Sequence, residues 1–349
     1  MQIQKMLPMT AIAAAMSFAP AQATDITGGG STFIYPVLSQ WAQQYATATG
    51  TKVNYQAIGS GGGLRALEEK TVTFAASDMP LKEAKLKSEG YVQWPQIAGA
   101  IVPVVNIDGV AANDLVLDGK TMAEIYLGKI TDWSDPAIKA LNPDFTGAGY
   151  ITVVHRSDGS GTTFNFTNYL DKVSPDWDKQ VGSSTEVNWP TGIGGKGNAG
   201  VAQYVQSVPN SIGYVEYAYA LENNLAYTKM VNQAGKTVEA NADSFKAAAE
   251  GAAQGYANAP GFYLILTDQP GDGSWPILAT TFILTYATPQ DAAETKAALD
   301  FFDWSFKNGT ADAQKLDYLP IPETVFDQVE ATWTAQIMDN GTPVWSASN

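Results

Sequence analysis

The sequence contains no cysteine and a single histidine, His155. Without cysteine there can be no disulfide, no thiolate nucleophile, no cysteine-built zinc site and no lipid-bearing cysteine. With one imidazole, the usual zinc and di-metal hydrolase centres lack their ligands, so neither a metal nor another cofactor is expected. Cationic side chains are scarce: 20 Lys and Arg stand against 35 Asp and Glu, a formal charge of −15. Such a chain repels a polyphosphate backbone, which argues against nucleic acid as a partner. Charged residues make up only 16%, whereas 45% are apolar and 11% aromatic. That is enough to build a sizeable core, and it excludes wholesale disorder. A length of 349 residues leaves room for two domains.

Long apolar runs are missing too. The one candidate lies at the start, where Lys5 precedes a mostly apolar stretch from Met6 to Pro20, then Ala21-Gln22-Ala23. Pro8 and Thr10 interrupt that stretch, and it falls short of the ~20 residues of a membrane span. A basic start, a short apolar middle and an A-x-A site are the pattern of a cleaved secretory signal, here residues 1–23. No twin arginine precedes it, so the general secretion route is expected. The expected product is soluble, exported and retained in a Gram-negative periplasm.

From Thr24 onward, short β-like runs alternate with helix-like stretches, the pattern of α/β folding with parallel sheets. Three junctions share one layout of strand, Gly/Ser/Thr loop and helix. Asp25-Ile26-Thr27 leads into Gly28-Gly29-Gly30-Ser31-Thr32-Phe33, followed by Val37, Leu38, Trp41 and Tyr45 at helical spacing. Val53, Tyr55 and Ala57 alternate as a strand before Gly59-Ser60-Gly61-Gly62-Gly63 and a helix from Leu64. Ile151 to Val154 precedes His155 to Thr163, with Phe166, Tyr169 and Leu170 on one helical face beyond. A further strand, Val72 to Ala76, runs into Ser77-Asp78-Met79-Pro80 and places Asp78 at a carboxyl end. Ligands of open α/β sheets collect at those ends, where the next helix offers unpaired N–H groups and partial positive charge. Three such junctions facing one point would cage a small anion with neutral donors, with Arg156 supplying one cation. Each junction taken singly is an ordinary helix cap, and the residues do not name the anion.

Two apparent motifs lead elsewhere and fail. Gly192 to Asn198 suggests a nucleotide-binding loop, but Gly197 stands where the Ser or Thr after the lysine is required. Ser160 is not in a G-x-S-x-G elbow, because Asp158 occupies the first glycine position. Aromatic residues at helical spacing read as core, and the acids near Asp300 and Asp303 as solvated surface.

At these same residues the chain resembles a known family. Thr27 to Phe33, Gly59 to Gly62, Ala76-Ser77-Asp78 and Arg156 to Thr162 are similar to the periplasmic phosphate-binding proteins of high-affinity phosphate ABC transporters. So are Gly194 to Asn198, Gly213 to Tyr217 and Phe301 to Trp304, and the similarity spans essentially the whole mature chain. The resemblance implies a non-enzymatic binding protein that captures inorganic phosphate and delivers it to an inner-membrane ABC permease, working as a monomer. It also implies the type II two-lobed periplasmic binding protein fold: two α/β lobes joined by crossing strands, with the ligand in the cleft between them. The expected lobes are residues 24–102 with 282–349, and 103–281, with crossings at Ile97 to Val105 and from Trp275 through Leu284. Carried over by position, Thr32 and Phe33 match the first-loop donors and Ser60 the second-loop donor. Asp78 matches the carboxylate that accepts the anion's proton. Arg156 matches the cationic contact, Asp158 the carboxylate that steers it, and Ser160, Gly161 and Thr162 the donors at the second lobe's helix start. Gly61 departs from the family, which often carries a second serine there and so holds that loop more firmly. Two rival readings stay open at this level: a weak phosphatase, and a surface or signalling protein that senses phosphate.

Overall fold

The computed structural model describes residues 24–347, so the signal-peptide reading lies outside the described residues. Five strands of the main sheet come first: β1 (Ile26–Gly30), β2 (Val53–Ala57), β3 (Phe74–Ser77), β4 (Tyr91–Asn106) and β5 (Thr152–Arg156). Three more complete the main path: β6 (Ile193–Gly195), β7 (Ser211–Glu216) and β8 (Leu278–Tyr286). Their spatial order is β2-β1-β3-β8-β4-β7-β5-β6. The outer pairs β2–β1–β3 and β7–β5–β6 are parallel, as the strand–helix alternation predicts. The central strands β3–β8–β4–β7 are antiparallel.

The 16-residue β4 joins the two halves. Its first part, through Ala100, pairs with β8, whereas Ile101 to Asn106 pair with β7. It is longer than the expected run from Ile97 to Val105, because Gln93 and Gln96 stay buried within it by donating from their side-chain amides to the Leu81 carbonyl and to Ser305 Oγ. The chain then moves between the halves more often than two crossing runs would require. Tyr256 packs on Phe282, and Gln93 donates to the carbonyl of Gly261, so this stretch lies against the first half. Thr267 holds Lys172 and Asn168 of the second half, and the next crossing leads into β8.

Aromatic side chains fill both cores. In the first half Phe302 meets Phe74 and Trp94 edge-on, with ring centroids 4.9 and 5.5 Å apart, and Trp94 meets Trp333 at 5.0 Å. In the second, Phe166 stacks on Tyr214 at 4.1 Å. The helix α1 (Tyr35–Thr49) buries the face predicted from its spacing: Val37, Leu38, Trp41 and Tyr45. The helix α2 (Ser60–Glu68) begins at Ser60 rather than Leu64, so the glycines after Ser60 are helical and not a turn. Likewise Gly28 to Gly30 belong to β1 instead of a loop. A Cβ at Gly28 would lie 2.1 Å from the Phe74 ring, so the missing side chains make room for the neighbouring strand.

Candidate functional site

Helices α2, α3 (Gly161–Val173) and α4 (Gly197–Ser207) all begin at the junction of the two halves. Each follows a parallel strand, so their positive ends point at the same region. The end of β1 is brought there by Gly30, whose φ is +139° and whose added Cβ would sit 2.1 Å from the carbonyl of Ala76. That carries Ser31, Thr32 and Phe33 across the carboxyl edge of the sheet.

Asp78 follows β3 and is buried, at 1% exposure. Ser31 Oγ donates to its Oδ2 at 2.7 Å and Thr281 Oγ1 to its Oδ1 at 2.7 Å. Burial pushes this carboxyl up to about 6, against the opposing pull of Thr281, Ser31, Arg156 and Ser60. At neutral pH it is therefore mainly ionised and an acceptor only. Arg156, the last residue of β5, is equally enclosed. Its Nε and Nη2 grip Asp158 at 2.8 and 2.5 Å, and Nη1 reaches Thr162 Oγ1 at 3.3 Å. Burial alone would raise the Asp158 carboxyl, but the guanidinium and the Gly197 N–H hold it below the ordinary carboxylate range. The cation is thus fixed in direction by a fork-shaped pair.

The halves touch directly here. Gly61 N donates to Gly159 O at 2.9 Å, Gly161 N to Ser60 Oγ at 3.0 Å, and Asn165 Nδ2 to Asp78 O at 2.7 Å. Tyr219 Oη donates to Thr32 O at 2.7 Å. This is a closed arrangement. Gly61 departs from the loosening expected of it, because it makes the backbone contact itself. A Cβ there would approach Gly159 Cα to 3.0 Å.

Of the residues singled out from sequence, Thr32, Ser60, Asp78, Arg156, Asp158, Gly161 and Thr162 form this one network. Ser160 Oγ caps α3 by accepting from Thr163 N at 3.0 Å. Phe33 N donates to Ser31 Oγ at 2.9 Å, and the Phe33 ring packs on Tyr318. His155 stacks on Trp189 with centroids 4.8 Å apart and its Nδ1 on the Arg156 carbonyl, a supporting position outside the network. Sequence reading did not single out Ser31, Asn165, Asn198, Tyr219 or Thr281. Ser31 and Asn198 lie inside the Gly-rich junctions and could have been found there. Thr281 reaches Asp78 across 203 positions, for which no local signal exists.

Comparison with known proteins identifies the fold and the family. The chain matches the PBP superfamily domain over residues 17–308. It is 49% identical over 316 residues to the phosphate-binding protein PstS of Xylella fastidiosa strain Temecula1, covering 90% of this chain and 86% of that protein. It is also 49% identical over 330 residues to PstS of Pasteurella multocida, covering 93% and 94%. Among solved structures, a high-affinity periplasmic phosphate-binding protein (PfluDING) bound with phosphate superposes with a TM-score of 0.73 at 20% identity, covering 93% of this chain and all of that one. A putative phosphate ABC transporter substrate-binding protein from Clostridium perfringens gives 0.62 at 19% identity, over 86% of this chain and all of that one. Those structural likenesses show the two-lobed periplasmic binding protein fold, and the sequence relatives place the chain within it: it belongs to the PstS family of phosphate-binding proteins in the PBP superfamily.

Proposed function

We propose that this protein is an exported binding protein, not an enzyme, which captures inorganic phosphate between its lobes and presents it to an inner-membrane ABC permease. The lobes are residues 24–100 with most of the chain after 278, and the intervening second half, which lends the stretch around Tyr256 to Gly261 to the first. The observation that carries the reading is a donor set divided between them. Thr32 and Ser60 come from one lobe and Arg156, Gly161 and Thr162 from the other, around the buried acceptor Asp78. An anion held by both sides stabilises the closed form by its differential affinity for that form. Phosphate suits the set because it keeps a proton near neutral pH, which Asp78 can accept while the remaining oxygens take donors. The periplasm as destination is supported by the N-terminal signal pattern and by the likeness to the periplasmic phosphate-binding protein PfluDING.

Phosphatase chemistry would need an activated nucleophile. Ser160 spends its oxygen on the α3 cap, and the only histidine is stacked on Trp189. Equilibrium dialysis of the mature protein against labelled phosphate, sulfate and glycerol phosphate tests the proposal. The expected result is one phosphate per chain with the other two excluded. Equal uptake of sulfate or the ester would overturn it.

A further inference from the structure

Three buried hydroxyls of the cleft share an unusual bonding state. A hydroxyl has one proton to give and two lone pairs to fill. Ser60 Oγ accepts from Asp78 N at 3.2 Å and Gly161 N at 3.0 Å. Thr32 Oγ1 accepts from Asn198 N at 3.2 Å and Asn198 Nδ2 at 2.8 Å. Thr162 Oγ1 accepts from Arg156 Nη1 and Asn198 Nδ2, both at 3.3 Å. In each case the protein fills both lone pairs with donors. The Ser60 hydroxyl also bears on the Asp78 carboxylate. Among the described residues, however, neither Thr32 Oγ1 nor Thr162 Oγ1 donates to a protein acceptor, so for these two the proton is the only face left for a ligand.

Asn198 serves two of these hydroxyls, one from each lobe. Its own orientation is not free: Oδ1 accepts from the Glu216 backbone N–H at 3.0 Å, so the amide NH2 must face the threonines. The side chain is fully buried at the start of α4. Resting on the phosphate reading above, we propose that Asn198 is a positioning residue that locks the Thr32 and Thr162 hydroxyls as donors to the bound anion. A hydroxyl otherwise offers a ligand either a proton or a lone pair, and an anion rewards only the first. With these two hydroxyls held as donors, neither can accept the anion's own proton, which is left to Asp78. Asn198 thus acts on affinity and on where the ligand's proton sits, without needing to touch the ligand.

The test is a pair of double-mutant cycles read by phosphate dialysis. Asn198→Ala and Asn198→Asp are each made in the wild type, in Thr32→Val and in Thr162→Val. Asn198→Asp keeps the shape and the acceptor for Glu216 N but exchanges the donor for an acceptor and adds a negative charge. It guards against a variant that fails to fold, and the charge contribution, being the same in every background, cancels in the cycles. Asn198→Ala is expected to weaken phosphate binding about 30-fold in the wild type, the scale of two neutral hydrogen bonds. In each valine background the loss should shrink by about threefold or more, because one hydroxyl to be oriented is gone. Asn198→Asp should lose more than Asn198→Ala, since an acceptor-only side chain turns both hydroxyl protons away from the anion, and that excess should also shrink. Losses identical in all backgrounds would mean that Asn198 acts by packing or charge alone, and would overturn the proposal. If the wild type binds phosphate but the cycles show no coupling, only this inference fails. If the wild type does not bind phosphate, the functional reading fails first.

Discussion

Replacing Asp78 by asparagine should turn a site that excludes sulfate into one that accepts it. Asp78 is sealed at 1% exposure, with one donor on each carboxylate oxygen. Its remaining lone pairs can meet a protonated phosphate oxygen, but against fully ionised sulfate they meet only other lone pairs. An acceptor buried without a partner costs about 1–3 kcal/mol, and more when charged. At about 1.4 kcal/mol per factor of ten, Asp78→Asn should raise sulfate affinity about tenfold or more. Phosphate should lose less than in Arg156→Ala, because the amide oxygen still accepts its proton. The wild type carries an internal check. Burial lifts the carboxyl to about 6, so below that pH the same side chain gains a proton and becomes a donor. Wild-type sulfate binding should therefore rise as the pH falls through about 6, while in Asp78→Asn it stays flat. The sign extends to the fold. The native carboxyl holds its proton more tightly than the unfolded one, so its contribution to stability is full below about 4, falls as pH rises to about 6, and is constant above. Competition dialysis with labelled phosphate and unlabelled sulfate, at neutral pH and below pH 6, gives the phosphate and sulfate affinities of both proteins. If Asp78→Asn still ignores sulfate at neutral pH, discrimination does not reside in this carboxylate and the argument is wrong.

Arg156→Ala should weaken phosphate binding more than Ser60→Ala, since a charge-assisted contact is roughly twice as strong as a neutral one. It also leaves Asp158 without its cationic partner beside the anion, and equal losses on dialysis would remove Arg156 from the site. Gly161→Ala should separate closing from folding. Its Cβ would meet Asp78 Cβ of the other lobe at 2.5 Å, yet its helical backbone tolerates alanine. Phosphate binding should fall about 100-fold or more, the scale of a lost closure of about 3 kcal/mol, with the melting temperature of the free protein nearly unchanged. Added salt should change phosphate affinity modestly, because donors at contact distance outweigh surface charges screened beyond about 8–10 Å. A steep salt slope in the dialysis series would contradict that.

The local content of this protein was legible in its sequence. The face of α1, the strand-to-helix junctions, and the placement of Asp78 and Arg156 at carboxyl ends follow from periodicity and from glycine and hydroxyl residues, which act over a few positions. The resemblance of several short motifs then assembled these pieces into one family and one candidate site. Where sequence reading erred, a neighbouring strand or lobe decided. Gly28 to Gly30 read as a loop because glycine favours turns, but the ring of Phe74 and the Ala76 carbonyl need the space a side chain would take. Gly61 read as a loosened position, and its bareness instead admits the backbone of Gly159. Whether a buried hydroxyl gives or receives a proton depends on what fills its lone pairs. For Thr32 and Thr162 that is Asn198, 166 and 36 positions away, and the Asp78 carboxylate takes a donor from Thr281 across 203. Composition and spacing decide which groups reach the cleft. The direction in which each group donates is settled only when the two lobes meet, because a hydrogen bond is a property of the pair and not of either residue.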